Sequence, residues 1–374
     1  MKKILFVSHS AEMHGAESVL ISAITHLVKE GHEAYVIIPD IPNMHDFRNA
    51  LPSKIHEDHI FCLDFKQLNK NYLQALHLRI TLKHKAKKFA KFLRPYAFDF
   101  VYTNSSLNLF GTYLAHSLDV PYFWHFHETM SRYYDWPMAT RHLYRSLLQI
   151  GHPTFIFISY TQKDAWEKEL NMALPISKII YNPYNTNVEP IKPSETKILT
   201  YGFIGKFIPR KNIEGLLTAF QTIHNTHENV RLICQGGDQA GMEKYQALVD
   251  KMELSAWVEL RPHSSDTLSF YSRINVMVIP SWKETMPLVS LEAMSMKIPT
   301  IHTSKCGMRE LFADGHDLLF INPKKEGKLE KAMLQMLDTE TRQTLSANAY
   351  NKILNYRFNS NFQEAITQLF KDKP

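Results

Sequence analysis

Short apolar stretches rich in β-branched residues alternate with longer stretches of helical periodicity along the whole chain. This alternation is typical of βαβ units, in which helices join parallel strands. The first half contains five predicted buried strands, at Lys3–Ser8, Glu33–Ile38, Phe98–Tyr102, Pro121–Phe126 and Thr154–Ile158. The second half contains six, at Ile198–Ile204, Val230–Cys234, Trp257–Leu260, Val276–Ile279, Pro299–Ile301 and Leu318–Ile321. The pattern predicts an α/β protein with two doubly wound, parallel sheets.

A proline-containing segment separates the two halves. Asn182–Thr196 holds three prolines and few apolar residues, which is the composition of a linker. A chain of 374 residues is also longer than a domain with a single hydrophobic core usually is. We therefore predict domains at residues 1–186 and 187–357, followed by a C-terminal helical segment at 358–374. Sheets of this kind bind ligands at the carboxyl ends of their strands, so a cleft between the domains is the expected site.

Composition excludes several classes of protein. The chain is 44% hydrophobic and contains no apolar run near the roughly 18 residues that a membrane span needs. Its first apolar run is too short for a signal peptide, so we expect a cytoplasmic protein. Cys62, Cys234 and Cys306 lie far apart, which favours neither a disulfide framework nor a zinc site. A net charge of +6 is compatible with anionic ligands and does not require a nucleic acid partner.

The positive charge is concentrated in one segment. Residues 79–94 carry seven Lys or Arg and no acid, while Leu78, Leu82, Ala86, Phe89 and Leu93 recur at helical spacing. This spacing predicts an amphipathic helix with a cationic outer face. Such a face could bind an anionic membrane surface, or it could be an ordinary solvated helix face.

Two motifs in the first half carry candidate chemistry. Gly15 lies where the first strand passes into a helix, a position at which free amides favour an anion, although a plain turn has the same sequence. His125 and His127 lie two residues apart at a strand end and should point the same way. With Glu128 they resemble part of a metal cluster, but no third distant ligand is identifiable. The dinucleotide and P-loop fingerprints are both absent from the sequence.

Two further motifs lie in the second half. Lys206 follows Gly205 at a predicted strand end, and Lys211 follows five residues later. Two ammonium groups at the mouth of a sheet could hold a diphosphate, although lysines near turns are common. Glu284 lies in a loop, and Glu292 follows eight residues later in an apolar, helix-forming run. A carboxylate there needs hydrogen bonds, either from sugar or ribose hydroxyls or from backbone groups.

Taken together, these motifs resemble the family four retaining glycosyltransferases, which have the GT-B fold and use nucleotide-sugar donors. The resemblance spans nearly the whole chain and rests on His14–Glu17, the strand-end His-Glu, Ile179–Asn182, Gly205-Lys206 with Lys211, and the Glu284/Glu292 pair. It implies two Rossmann-like domains facing across a cleft, with the acceptor on the N-terminal side. It also implies that the nucleotide sugar binds the C-terminal domain and that the last helix returns to the first domain.

The resemblance assigns roles to individual residues. Glu292 would hold the ribose hydroxyls, Glu284 the transferred sugar, and Lys206 and Lys211 the leaving diphosphate. His127 matches the active-site histidine of the family best, with His125 second, and would contact the donor sugar and the phosphate side. The remaining predicted substrate-binding residues are Gly15, Gly205, Met286, Pro287, Leu288 and Val289. No metal or other cofactor is implied.

The function expected from this resemblance is transfer of a hexose, with retention of configuration and without a metal, from a nucleoside diphosphate. The acceptor would be a glycan or a lipid-linked glycan in cell-envelope polysaccharide or lipopolysaccharide biosynthesis. Two alternatives remain: a nucleotide-sugar 2-epimerase on the same scaffold, and a non-catalytic subunit that binds a nucleotide sugar.

Overall fold

The structure is a computed structural model that describes residues 1–41, 44–65, 71–128, 138–184, 198–264 and 266–371. It divides into two compact units, one comprising Met1–Pro183 with the C-terminal segment from Asn359, and the other comprising Tyr184–Phe358. The domain boundary predicted after residue 186 lies outside the described residues, as does the linker from residue 185 onward.

The first unit contains a seven-stranded parallel sheet in the order β3-β2-β1-β4-β5-β6-β7. Its strands are β1 Lys3–Val7, β2 Glu33–Pro39, β3 Ile60–Leu63, β4 Phe100–Asn104, β5 Tyr122–Phe126, β6 Thr154–Phe157 and β7 Ser177–Ile179. Its helices are α1 Gly15–Lys29, α2 His45–Ala50, α3 Tyr72–Leu93, α4 Leu109–Leu118, α5 Met138–Leu147 and α6 Tyr160–Leu170. Helices α3 to α6 pack on one face of the sheet, where Val101 and Trp124 belong to the main buried core.

The second unit contains a six-stranded parallel sheet in the order β10-β9-β8-β11-β12-β13. Its strands are β8 Leu199–Ile204, β9 Val230–Gly237, β10 Val258–Pro262, β11 Val276–Ile279, β12 Thr300–Thr303 and β13 Leu319–Ile321. Its helices are α7 Ile213–His224, α8 Gln239–Lys251, α9 Leu268–Tyr271, α10 Leu288–Ser295, α11 Lys328–Gln335 and α12 Thr339–Tyr356. Two buried clusters cover opposite faces of this sheet, one with α7, α8 and α11 and the other with α9 and α10.

All eleven strands predicted from the sequence are present, most with ends shifted by one or two residues. The prediction missed β3 and β7, the two edges of the first sheet. Both are only partly buried, and β7 contains a polar Ser-Lys pair. An edge strand makes ladder bonds on one side only, so its sequence carries a weaker pattern than a central strand.

The last helix, α13, spans Phe358–Lys371. The ring of Phe370 lies 5.3 Å from Phe100 and 5.0 Å from Phe123, on the sheet face opposite the main core of the first unit. A hydrogen bond of 2.7 Å joins Thr367 to His26 of α1. This packing buries the apolar side of the helix. No helix in the described parts of the chain is long and apolar enough to cross a membrane.

Candidate active site

Strand order reverses between β1 and β4 in the first sheet and between β8 and β11 in the second. At such a switch point the loops from neighbouring strands leave in opposite directions, which opens a crevice at the carboxyl ends of the strands. The predicted site residues of the second unit follow β8 and β11. Those of the first unit lie after β1 and at the end of β5, which is the strand next to β4.

A buried ion pair joins the two loops at the switch point of the second unit. Lys211 Nζ lies 2.7 Å from Glu284 Oε1, and Arg210 Nη1 lies 3.2 Å from Glu284 Oε2. Glu284 is 7% exposed, whereas Arg210 is 40% exposed. Burial alone would raise the pKa of Glu284, but the charges of Lys211 and Arg210 hold it at about 2. The carboxylate is therefore ionised at neutral pH.

Backbone contacts hold this arrangement in place. The Glu284 amide donates to the Lys305 carbonyl at 2.9 Å, and the Trp282 amide donates to the Arg210 carbonyl at 3.0 Å. The Asn212 side chain donates to the Pro280 carbonyl at 3.1 Å. Arg210 Nη1 also donates to the Lys283 carbonyl at 2.9 Å. Three hydrogen bonds besides the ion pair thus tie the charged loop after β8 to the loop after β11, and the β11 loop is tied to Lys305 as well.

Gly205 and Lys206 directly follow β8, and Gly205 lies beside this pair. Gly205 has φ +153°, and a Cβ placed on the neighbouring Gly236 would lie 2.5 Å from the Gly205 carbonyl oxygen, so both backbones need glycine. A Cβ on Gly205 would lie 3.7 Å from Lys211 Nζ. The Lys206 side chain is exposed, and the described residues provide no ion pair for it. Gly205 and Lys211 are therefore brought together, with Lys206 next to them.

The predicted substrate loop leads directly into α10. Met286 is buried, Pro287 is the N-cap residue, and Leu288 and Val289 form the first turn. Pro287 has no N–H to donate. The amides of Leu288 and Val289 have no acceptor within the described residues, as expected for the first turn of a helix. They remain available to an anionic group.

Glu292 lies in the second turn of α10. Its Oε2 accepts a 2.7 Å hydrogen bond from the Tyr271 hydroxyl. Burial raises the pKa of Glu292, and this hydrogen bond opposes the rise. The apolar surroundings of Glu292 predicted that its carboxylate needs a hydrogen-bond donor, and Tyr271 is such a donor.

Gly15, in the first unit, is exposed and is the first residue of α1. Two residues on, Glu17 is buried, with its Oε1 3.1 Å from Nδ1 of His9, which follows β1. The start of α1 is therefore tied to the loop that leaves β1.

His125 and His127 point the same way, as predicted, with ring centroids 4.0 Å apart. They differ in surroundings, because His125 is fully buried with Nδ1 2.6 Å from the Tyr102 hydroxyl. His127 Nε2 lies 2.8 Å from Asn104 Oδ1, and the Asn104 amide nitrogen donates to the Ala16 carbonyl. Burial lowers the pKa of both imidazoles, which keeps them neutral at pH 7.

Glu128 completes this cluster. Its carboxylate accepts hydrogen bonds from the Ser105 and Ser106 hydroxyls and from the Ser106 amide. Burial would raise the pKa of Glu128, but the neighbouring His9 and His127 and the serine hydroxyls hold it below its ordinary value. Among the described residues, no His, Cys, Asp and Glu side chains form a group that could hold a metal ion.

Sequence reasoning assigned no role to Arg210, Tyr271 or Asn104. Arg210 could have been noticed as the neighbour of Lys211, but Tyr271 precedes Glu292 by 21 residues and carries no local signal. Asn104 likewise meets His127 only because β4 and β5 are neighbours in the sheet.

Comparison with known proteins agrees with this architecture. Residues 13–188 match the family model Glycosyltransferase Family 4, and residues 186–352 match the model Glycosyl transferases group 1. The capsular polysaccharide biosynthesis glycosyltransferase CapM of Staphylococcus aureus is 28% identical over 156 residues, which are 41% of each chain. A D-inositol 3-phosphate glycosyltransferase of Corynebacterium jeikeium is 30% identical over 141 residues, which are 33% of each chain. The matched stretches thus span less than half the length of these curated relatives.

A solved structure of similar fold matches nearly the whole chain. The crystal structure of Anabaena Alr3699/HepE in complex with UDP-glucose has a TM-score of 0.79 and 19% identity, covering 99% of this chain and 100% of that one. The GT-B fold implied by the sequence motifs is therefore confirmed. With both family models matched in order, this chain belongs to the family four glycosyltransferases.

Proposed function

We propose that this chain is a retaining, metal-independent glycosyltransferase that moves a hexose from a nucleoside diphosphate sugar to a glycan or lipid-linked acceptor. The observation that carries the proposal is the charged group of Arg210, Lys211 and Glu284 at the switch point of the second unit. Family membership supports it, as does the structural similarity to HepE, a protein that was crystallised in complex with UDP-glucose. The similarity to CapM, a glycosyltransferase of capsular polysaccharide biosynthesis, favours an envelope polysaccharide as the product.

The donor diphosphate is placed against Lys206, Lys211 and the first turn of α10. When the bond between the anomeric carbon and the diphosphate oxygen breaks, the electron pair leaves with the diphosphate, and fixed positive charge there lowers the barrier. Lys211 has three N–H donors and spends one on Glu284, so two remain for phosphate oxygens. These amines supply the charge that a divalent metal supplies in other enzymes. For retention, the acceptor hydroxyl attacks from the leaving-group side and gives its proton to a phosphate oxygen.

His127 is assigned to a hydroxyl of the donor sugar. The Asn104 amide nitrogen donates to the Ala16 carbonyl, so its oxygen faces His127 and accepts from Nε2–H. This network assigns the neutral Nε2–H tautomer, in which Nδ1 carries a lone pair. Because a lone pair accepts from a hydroxyl and repels a phosphate oxygen, His127 fits the sugar better than the phosphate side.

Peripheral binding to an anionic membrane belongs to the same proposal. In α3, Lys83, Lys87, Lys88 and Lys91 are exposed, while Leu82, Ala86 and Ala90 are buried against the first unit. The exposed Ile80 and Phe92 add apolar area to this cationic face. A lipid-linked acceptor would be met at such a surface, where each basic residue contributes about 1 kcal/mol.

The test is a thermal-shift panel of UDP, GDP, ADP and their sugars, followed by product analysis with the stabilising donor. We expect one nucleotide family to raise the unfolding temperature and the hexose to appear on an acceptor glycan with its anomeric configuration retained. Turnover should be unchanged by EDTA. An altered sugar nucleotide formed without acceptor would identify an epimerase instead. Donor binding without any turnover would favour the non-catalytic subunit.

A further inference from the structure

Glu292 is held by one side chain to which neither the sequence motifs nor the family comparison assigns a role. We infer that Tyr271 is a positioning residue that fixes the Glu292 carboxylate for the ribose hydroxyls of the donor. The inference rests on the proposed function, because it specifies how the nucleotide would be recognised at that site.

The hydrogen bond from Tyr271 to Glu292 is short, and the tyrosine side chain is held in place by packing. Tyr271 is the last residue of α9 and is fully buried, in the cluster that contains Ile204 and Met277. Its hydroxyl lies 2.7 Å from Glu292 Oε2 but 3.4 Å from the Val289 carbonyl oxygen. With one proton to donate, the hydroxyl serves the nearer, charged acceptor.

Only one oxygen of the Glu292 carboxylate, Oε2, accepts a hydrogen bond from the described residues. The described residues provide no hydrogen bond to Glu292 Oε1, and the side chain is only partly buried. A glutamate that must order its side chain upon binding loses rotamer freedom, which weakens the complex. Tyr271 reduces this loss of rotamer freedom, because it already holds Oε2, and so orients Oε1, before the nucleotide binds. A ribose presents two neighbouring hydroxyl donors, which suit an acceptor-only carboxylate held in this way.

The experiment compares a nucleotide with and without its ribose hydroxyls. UDP, GDP and ADP are titrated by calorimetry into wild type and Tyr271→Phe, and the one that binds is compared with its 2′,3′-dideoxy counterpart. We expect wild type to prefer the ribose form at least about tenfold, since hydrogen bonds to a charged group are involved. Tyr271→Phe should lose most of this preference while binding the dideoxy form as wild type does, which also shows that it is folded.

Tyr201→Phe is the matched control. Tyr201 is a fully buried tyrosine of the same unit whose hydroxyl donates to the Met333 carbonyl at 2.7 Å, so its loss should leave the ribose preference unchanged. In a Glu292→Gln background, Tyr271→Phe should cause little additional loss.

The outcomes separate this inference from the proposed function. An undiminished ribose preference in Tyr271→Phe overturns the inference and leaves the proposed function standing. Wild-type protein that binds the ribose and dideoxy forms equally well also overturns the inference and leaves the proposed function standing. A wild-type protein that binds no nucleoside diphosphate overturns both.

Discussion

Lys211 Nζ lies 2.7 Å from Glu284 Oε1, although the two residues are 73 positions apart in sequence. The fold brings them together because β8 and β11 are neighbours at the switch point of the second sheet. The charge of Lys211 helps to keep Glu284 ionised in a largely buried place. The ion pair in turn gives the ammonium a fixed direction before any ligand arrives. This preorganisation is the physical basis of the function proposed above.

Removal of the Lys211 ammonium should weaken donor use. We expect Lys211→Ala to lower kcat/KM by about 10-fold to 100-fold, because a hydrogen bond to a charged group contributes about 1.5 to 3 kcal/mol. Lys244→Ala is the control, since Lys244 makes an equally short 2.7 Å pair with Glu214 at an exposed position of the same unit. Steady-state kinetics with the identified donor check both variants. Wild-type kinetics in Lys211→Ala would remove this lysine from the site.

The stability contributed by Glu284 should depend on pH in a definite direction. Its pKa falls from 4.5 to about 2 on folding, so the contribution is complete above pH 4.5 and is lost as the pH falls toward 2. Glu284→Gln should therefore cost about 3 kcal/mol of unfolding free energy at pH 7 and progressively less in acid. Denaturant unfolding at a series of pH values measures this difference. Glu214→Gln, at an exposed pair, should show little effect, and a pH-independent difference for Glu284→Gln would contradict the assignment.

Asn104 should control the tautomer of His127. We expect imidazole ¹⁵N spectra of wild type between pH 6 and 8 to show His127 neutral, with Nε2 protonated, because burial lowers its pKa. Asn104→Ala removes the acceptor at Nε2 and should give a mixture of tautomers with about tenfold lower kcat/KM. A protonated His127 at neutral pH, or a predominant Nδ1–H form in wild type, would overturn the role given to this residue.

The cationic face of α3 should govern membrane binding if that part of the proposal is right. Replacement of five lysines by glutamine, at positions Lys83, Lys85, Lys87, Lys88 and Lys91, should weaken sedimentation with anionic vesicles at least about tenfold. The control removes the same charge from exposed lysines of the second unit, at positions Lys251, Lys324, Lys325, Lys328 and Lys331. Equal sedimentation of the two variants would leave α3 as an ordinary solvated helix.

The sequence predicts the fold well because central strands and long helices carry their patterns locally. Val276–Ile279 is buried throughout, and both of its ends were predicted correctly. The edge strand Ser177–Ile179 has no such pattern and was missed. The amphipathic α3 was predicted from residue 79, whereas the helix starts at Tyr72, capped by Asn71, which accepts from the Gln74 amide.

The candidate site was only partly accessible to sequence reasoning. The contacts of Glu292 with Tyr271 and of His127 with Asn104 connect different elements, and no local pattern encodes them. The sequence also treated His125 and His127 as alternatives for one role. The structure separates them by burial, since His125 lies in the interior against Tyr102.

The central claim is that amines of the second unit hold the donor diphosphate while Glu284 and Glu292 meet hydroxyls. A crystal structure of the protein with its nucleoside diphosphate tests this claim most directly. We expect phosphate oxygens within hydrogen-bond distance of Lys206 Nζ, Lys211 Nζ and the α10 amides. A diphosphate that binds elsewhere and makes no contact with the two lysines or the α10 amides would contradict the account.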